Sequence, residues 1–286
     1  MRQTNAILGW LAAIAAVATL SAQAPAGGAP PQPAPGAPQA PAPGGRGGRG
    51  QPPPQTPREA APFDLTGQWV SVVTEDWQWR MVTPQKGDYA SIPINAEGRK
   101  VADGWDLAKD KSENSLCKAF GAAGLMRLPL RMRISWQDDS TLKLDTDAGT
   151  QTRLLRFSAQ APEPSAERTW QGVSRAAWYK QPQGRGLGLG RGGGAGFAGG
   201  NLRVTTTNMR AGYLRKNGVP YSEDASLMEY FNRHDEPNGD QWITLTRVIT
   251  DPKYLNQNYV VSESFKKETD TSKWAPTPCE VDPPRQ

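Results

Sequence analysis

Nine segments of strand length, separated by turn residues, constrain the fold of this chain more than any other feature. Runs rich in Asp, Asn, Gly and Pro, such as 138–140 and 236–239, lie between them and are typical of hairpin turns. So many short segments in succession predict an all-β domain. The predicted strands are residues 67–80, 131–136, 141–146, 150–157, 168–179, 201–208, 226–234, 241–250 and 258–267.

Only the stretch 83–130 interrupts this pattern with helical signals. Asn95 is suited to cap a helix over 96–103, and Ser112 can start a second short turn that reaches Phe120. Because closure removes the exposed edges of a sheet, we expect an antiparallel up-and-down, lipocalin-like barrel of about eight to ten strands, with a short helical insertion after the first strand. A β-sandwich is the alternative fold.

The first residues have the pattern of an export signal. Arg2 supplies a positive charge, residues 6–20 form an apolar run, and a short small-residue segment ends at Ala24. We therefore predict a signal over residues 1–24 and a periplasmic or secreted protein. The apolar run is shorter than the roughly 20 residues that a spanning helix needs, so we expect no transmembrane span in the mature chain.

Two stretches of low complexity divide the chain further. Residues 25–62 are rich in Pro, Ala and Gly and cannot bury enough apolar surface to fold, which predicts a disordered linker followed by one β-barrel domain over 63–286. The glycine-rich stretch 184–200 precedes a predicted strand, so we interpret it as a flexible hairpin insert. Its glycine spacing matches a dinucleotide fingerprint, but that motif requires a following helix.

The net charge of the chain excludes a nucleic-acid-binding footprint. The chain has 33 basic and 28 acidic side chains, but four of the arginines and one glutamate lie in residues 1–62. The remaining 29 basic and 27 acidic side chains are nearly balanced. We therefore expect no nucleic acid as a partner.

Cys117 and Cys279 are the only cysteines. An exported chain with an even pair favours a disulfide, which would tie the carboxy-terminal tail to the segment before the second strand. Two free thiols are the alternative. A bond requires a Cα separation of roughly 4.4 to 6.8 Å.

Strand parity predicts which side chains face a barrel interior. In the first strand Trp69, Glu75, Trp77 and Trp79 share one face, and single charges alternate with apolar residues in two later strands. Such a surface suits a ligand cavity. The alternatives are that the charges face solvent while the aromatic rings form core, or that Trp77 and Trp79 stack on a flat solute. The predicted ligand-binding residues are Trp69, Glu75, Trp77, Trp79, Glu229, Phe231, Arg233 and Tyr259.

The chain carries few catalytic signatures. His234 is the sole histidine, which excludes a site with several histidine ligands, and we expect neither a metal nor a cofactor. A carboxylate in an apolar pocket can have its pKa raised towards neutrality, as proton abstraction requires. The candidates for such a general base are Glu75, Glu229 and Glu263.

Several motifs are similar to those of known exported proteins. The segment 65–69, Leu-Thr-Gly-Gln-Trp, resembles the Gly-x-Trp that opens lipocalins and related calycin barrels. A longer set resembles a family of uncharacterised exported bacterial β-rich proteins, which implies export and a β-rich fold and carries no catalytic residue. That set comprises Leu65-Thr66-Gly67-x-Trp69, Thr169-Trp170-Gln171-Gly172 with Trp178, Leu202-x-Val204-x-Thr206-Thr207-Asn208, Gly218-x-Pro220-x-Ser222-Glu223 and Lys273-Trp274-x-Pro276-Thr277-Pro278-Cys279.

Three functions fit these observations. The first is an exported protein of the cell envelope that binds a small apolar or aromatic ligand inside its barrel. The second is an envelope interaction or structural module with a filled barrel and a protein partner. The third is a barrel enzyme that uses one of the three carboxylates.

Overall fold

The computed structural model describes residues 54–157, 167–180 and 200–284 of the chain. Its strands form one closed barrel and one small separate hairpin, which confirms the predicted all-β barrel. The strands are β1 Gly67–Val72, β2 Arg131–Asp138, β3 Thr141–Thr146, β4 Gln151–Arg156, β5 Val173–Lys180, β6 Gly200–Thr207, β7 Gly212–Arg215, β8 Val219–Tyr221, β9 Ser226–Asp235, β10 Gln241–Thr250 and β11 Tyr259–Glu268.

The barrel contains nine strands in the order β1-β11-β10-β9-β6-β5-β4-β3-β2, and β1 also pairs with β2 to close the ring. Closure excludes the alternative of two packed sheets. The strands β7 and β8 pair only with each other.

One junction of the barrel differs from the expected uniformly antiparallel pattern, because β4 and β5 run parallel. Parallel neighbours need a crossover of a dozen or more residues, whereas the short turns after β2, β3 and β9 enforce antiparallel pairing. The connection 157–172 is long enough for this return, and its residues 158–166 lie outside the described part of the chain.

The first strand is shorter than predicted. The sequence indicated a strand over 67–80, but β1 ends at Val72 and a short helix, α1, spans Trp77–Arg80. Asp76 precedes this helix in the left-handed conformation, with φ of 52°. Its carboxylate accepts a hydrogen bond from Arg127 at 2.6 Å. This tertiary contact overrides the local strand preference.

The insertion after β1 is helical, as predicted. The Asn95 side chain accepts from the Gly98 backbone N–H and caps the helix α2, Ala96–Asp103. Ser112 ends a helix rather than starting one, because Asp106 already caps that segment. The other helices are α3 Leu107–Ser112, α4 Ala122–Leu125 and the 3₁₀ turns Leu116–Phe120, Ala148–Thr150 and Thr271–Lys273.

Side chains fill much of the barrel interior. Trp69, Phe231 and Phe265 are fully buried there, and smaller aliphatic residues of the neighbouring strands surround them. Each large apolar side chain buried in this way contributes about 1.5–3 kcal/mol to stability. The helical insertion and the β7–β8 hairpin pack at one end of the barrel, here called the upper end, where β1 ends and β11 begins.

The opposite, lower end is covered by residues 54–66. The Trp178 indole donates to the Pro57 carbonyl at 2.7 Å, and Phe63 packs edge-on against the same ring. Part of the predicted linker therefore packs on the barrel, since Pro57 accepts from Trp178 and the Arg58 N–H donates to the Asp139 carbonyl. The predicted signal 1–24, most of the linker and positions 184–199 of the glycine-rich insert lie outside the described residues.

Cys117 and Cys279 form a disulfide with a Cα separation of 5.1 Å, which confirms that prediction. The bond joins positions 162 residues apart and holds the tail 274–284 against the upper end of the barrel. The tail is also anchored where the Thr277 N–H donates to the Asp147 carbonyl. In the chain-entropy model a loop of this length gives about 5 kcal/mol of stabilisation.

Candidate functional site

Four of the eight predicted ligand-binding residues, together with Glu263, are buried inside the barrel. On β9 Glu229 and Phe231 are fully buried, and Tyr259 and Glu263 on β11 are also buried. Trp69 on β1 is inaccessible, and its indole donates to the Leu65 carbonyl at 2.9 Å. The two glutamates therefore lie inside the barrel rather than at solvent-facing strand ends.

The remaining predicted residues lie elsewhere. Trp77 is on α1 with 63% of its surface exposed, so it does not line the barrel. Trp79 is half-buried on the same helix and donates to Asp88. Glu75 precedes that helix and pairs with Arg80. Arg233 is at the lower end, where it donates to the Asp64 carbonyl.

Four charged side chains form a connected network inside the barrel. Arg153 donates to both carboxylate oxygens of Glu229, at 3.0 and 2.5 Å, with neither side chain exposed. Arg247 follows, 3.7 Å from Glu229 and 3.5 Å from Glu263. Arg247 also donates to the Ala122 and Ala123 carbonyls, which ties the network to α4. Burying an unpaired ion costs several kcal/mol of free energy, on the order of the whole stability of a domain. The alternation of positive and negative side chains offsets this cost in the interior.

Glu263 is the least satisfied member of this network. Its Oε1 is 3.5 Å from both Arg247 and Arg127, whereas its Oε2 is buried without a hydrogen-bond donor among the described residues. Burial raises the pKa of Glu263 and outweighs the opposing attraction of Arg247, Arg127 and Arg80. By contrast, Arg153 occupies both oxygens of Glu229. A catalytic role for Glu75, Glu229 or Glu263 stays a prediction.

The network continues into the insertion through Arg127 and Arg80. Arg127 binds Asp76 and lies 3.8 Å from Glu75. Arg80 pairs with Glu75 and donates through Nε to the Arg127 carbonyl at 2.8 Å. Both arginines are more than nine-tenths buried. The insertion therefore delivers two cations to the upper end of the barrel.

These two arginines line a small pocket at the upper end, here called the arginine pocket. With its open mouth it encloses about 310 Å³, and its closed part has room for about one water-sized group. Four of its eight lining residues are cationic and the others are aromatic or aliphatic. They are Trp79, Arg80, Arg127, Leu128, Leu214, Arg215, Lys216 and Tyr259.

The β7–β8 hairpin supplies the other two cations. The Arg215 guanidinium lies 5.2 Å from the centre of the Trp79 ring and donates to the Ala90 carbonyl at 2.9 Å. Burial lowers the pKa of Lys216 and outweighs the opposing attraction of Asp282. The pKa of Arg215 is also lowered, mainly by burial and further by the nearby Arg127.

Two buried guanidinium nitrogens of the arginines that line the pocket have no hydrogen-bond acceptor in the described part of the chain. These are Nη2 of Arg80 and Nη1 of Arg127, and the latter still lies 3.5 Å from an oxygen of Glu263 and 3.8 Å from one of Glu75. A buried charged donor without an acceptor loses the free energy of its hydration and gains no hydrogen bond in return. We therefore expect such atoms to have an acceptor when the site is occupied. An anionic oxygen in the pocket would supply it.

Of the predicted ligand-binding residues only Trp79 and Tyr259 line this pocket, and the sequence did not indicate its four cations. The pocket joins α1, the segment before β2, the β7–β8 loop and the start of β11, which only tertiary packing brings together. One signal was present, since Arg127 is the single charge in the apolar run 119–130. An arginine surrounded in this way is seldom fully buried unless it has partners.

The described residues contain no group of three or more His, Cys, Asp or Glu side chains placed to hold a metal ion. Among the same residues, no helix has both the length and the apolar character that a membrane crossing requires.

No protein-family model matches the sequence, and comparisons with curated proteins and with solved structures found no significant similarity. The resemblance to exported bacterial proteins and to lipocalins therefore stays a prediction. The case for a function rests on the arginine pocket.

Proposed function

We propose that this protein binds a small organic acid, whose carboxylate enters the arginine pocket. The observation that carries the proposal is the convergence of Arg80, Arg127, Arg215 and Lys216 on one pocket. Two of these arginines also have a buried guanidinium nitrogen without a hydrogen-bond acceptor among the described residues. Guanidinium groups match the planar carboxylate with paired donors. The free energy gained is large in such a site because water is mostly excluded.

The size and lining of the pocket define the ligand class. Its closed part has room for about one water-sized group, which suits one oxygen of a carboxylate while the rest of the ligand stays in the open mouth. Leu128, Leu214 and Trp79 offer apolar surface next to the cations, so the ligand would carry a small apolar or aromatic body. This retains the apolar ligand expected from the sequence, but moves it from the barrel interior, which Trp69 and its neighbours occupy, to the upper end.

We also propose that the protein acts outside the cytoplasm. The Cys117–Cys279 disulfide supports a periplasmic or secreted location, because such bonds persist mainly in oxidising compartments. The sequence pattern of residues 1–24 supports the same location. Fractionation of cells that express the full chain tests it.

Titration of the purified protein with benzoate, followed by calorimetry and Trp fluorescence, tests the binding. We expect saturable binding of benzoate and none of benzamide, which has the same shape without the charge. Arg127→Gln and Lys216→Gln should each weaken benzoate affinity about tenfold to a hundredfold, since each removes a charge-assisted contact. Arg203→Gln, an exposed residue on the outer face of β6, is the matched control. Equal affinity for benzoate and benzamide would overturn the proposal.

A second candidate function is an envelope interaction module. The filled interior favours it, as do Trp77 and Met81, which expose 63% and 56% of their surface on and beside α1. Large exposed apolar side chains that lie close together are typical of contact surfaces. Crosslinking in cells tests it with a Trp77→Ser, Met81→Ser double variant. Loss of a specific crosslinked partner in this variant, but not in Val260→Ser, would support the interaction function.

A further inference from the structure

Arg127 connects the arginine pocket to the barrel interior. Its Nη1, which has no hydrogen-bond acceptor, lies 3.5 Å from Oε1 of Glu263 and 3.8 Å from Oε1 of Glu75. The same side chain lines the pocket. An anion in the pocket and the carboxylate of Glu263 therefore compete for one guanidinium group.

Glu263 is placed to respond to this competition. Both of its side-chain oxygens are inaccessible to solvent, and Oε2 has no donor among the described residues. The charged groups that face it are Arg247 from β10, Arg127 from the segment before β2 and Arg80 from α1. Arg247 is shared with Glu229 of β9, and Asp76 and Glu75 share Arg127. The ionised form of Glu263 thus depends on cations that it shares with other carboxylates.

Resting on the function proposed above, we propose that the pocket binds its anion together with a proton, and that Glu263 takes up this proton. When the ligand carboxylate occupies Arg127, the positive potential at Glu263 falls and a negative charge is added nearby, so the protonated form is favoured. No bond other than the O–H bond of the Glu263 carboxylic acid is formed, and the proton comes from solvent. Reciprocity then requires that protonation of Glu263 strengthens anion binding.

Glu263 is already poised for this change, because burial raises its pKa above the usual 4.5. Burial also lowers the pKa of Lys216 in the same pocket, so proton uptake by this lysine is the alternative to uptake by Glu263. The two sources predict different results for substitutions, so they can be separated.

Calorimetry of benzoate binding in two cationic buffers of different ionisation enthalpy, bis-Tris and imidazole, counts the protons exchanged. We expect uptake of up to one proton by the wild-type protein, with an apparent Kd that rises up to about tenfold per pH unit. Glu263→Gln should bind benzoate without proton uptake, whereas Lys216→Met should bind more weakly with the uptake retained. The infrared band of a protonated carboxylic acid should grow when benzoate binds to the wild-type protein, and this growth should be absent in Glu263→Gln.

The outcomes separate this inference from the proposed function. Absence of benzoate binding at every pH removes the proposed function and this inference with it. Binding without proton exchange by the wild-type protein overturns only the inference, and this measurement does not depend on any variant folding. Proton uptake that persists in Glu263→Gln and disappears in Lys216→Met assigns the proton to the lysine and also overturns it.

Discussion

Arg153 on β4 and Glu229 on β9 form a two-fold hydrogen-bonded ion pair across the barrel interior, with neither side chain exposed to solvent. Ser174 and Thr206 lie against the same guanidinium group. A pair buried to this extent is stabilised by its geometry, but each partner alone would be an uncompensated ion.

The first prediction follows from this difference between the intact ion pair and either ion alone. Glu229→Gln should lower the free energy of unfolding by about 3–5 kcal/mol, because Arg153 and Arg247 lose a counter-ion. The double variant Arg153→Met, Glu229→Met should recover most of this loss, since Met fills the space and leaves Arg247 its partner Glu263. Urea denaturation of Glu229→Gln measures the loss, and urea denaturation of the double variant and of its two single variants, Arg153→Met and Glu229→Met, measures the coupling. Additive losses in the double variant would contradict the prediction.

The barrel itself could be predicted because its strands are long and locally regular. On β9 and β11 the period-two pattern assigned Glu229, Phe231 and Glu263 to the interior, and one buried face fixes that register strongly. The pattern failed beyond Val72, where the left-handed backbone at Asp76 turns the chain into α1. No periodicity contains that information, because it depends on the contact of Asp76 with Arg127.

The arginine pocket was beyond prediction for a related physical reason. Arg80, Arg215 and Tyr259 come from three separate segments, and only the segment of Tyr259 has the predicted strand periodicity. Strand parity placed Tyr259 inside the barrel but could not show that it faces cations from two insertions. The direction in which an insertion packs is decided by tertiary contacts, such as that of Arg215 with Trp79.

The second prediction concerns the disulfide. The double variant Cys117→Ser, Cys279→Ser should lose about 2–5 kcal/mol of stability, because the tail is then held only by contacts such as that of Thr277 with Asp147. Guanidinium denaturation with and without a reducing agent measures it. The reducing agent should shift the midpoint of the wild type and leave that of the variant unchanged. Equal midpoints for oxidised and reduced wild type would contradict the prediction.

The third prediction concerns the pH dependence of stability. Because the folded-state pKa of Glu263 is raised above 4.5, its favourable contribution is complete below that pH and is lost as the pH rises through the folded-state value. In Glu263→Gln the side chain cannot ionise, so this loss of stability with rising pH does not occur. The free energy of unfolding of the variant minus that of the wild type should therefore increase from acidic to neutral pH. Denaturant titrations of both proteins at several pH values give this difference, and a constant value across the range would contradict it.

The last prediction uses two glycines with similar backbone and different surroundings. Gly218, which turns the chain between β7 and β8, has φ of 80°, and Gly239 in the β9–β10 turn has φ of 86°. A Cβ built on Gly218 would overlap the Trp105 ring, whereas a Cβ on Gly239 would meet nothing within 4 Å. Both alanine variants therefore have the same left-handed strain, and only Gly218→Ala adds a steric clash.

Gly239→Ala should cost about 1–2 kcal/mol of stability through the backbone alone, and Gly218→Ala about 1–3 kcal/mol more because of the clash. Relief of that clash would move the β7–β8 turn, and with it Arg215 and Lys216, away from the arginine pocket. We therefore expect Gly218→Ala to weaken benzoate binding severalfold while Gly239→Ala leaves it unchanged. Thermal denaturation measures the first effect and calorimetry the second. Equal losses of stability in the two variants would show that the turn accommodates the methyl group, and unchanged affinity in Gly218→Ala would show that the hairpin does not position the cations of the pocket.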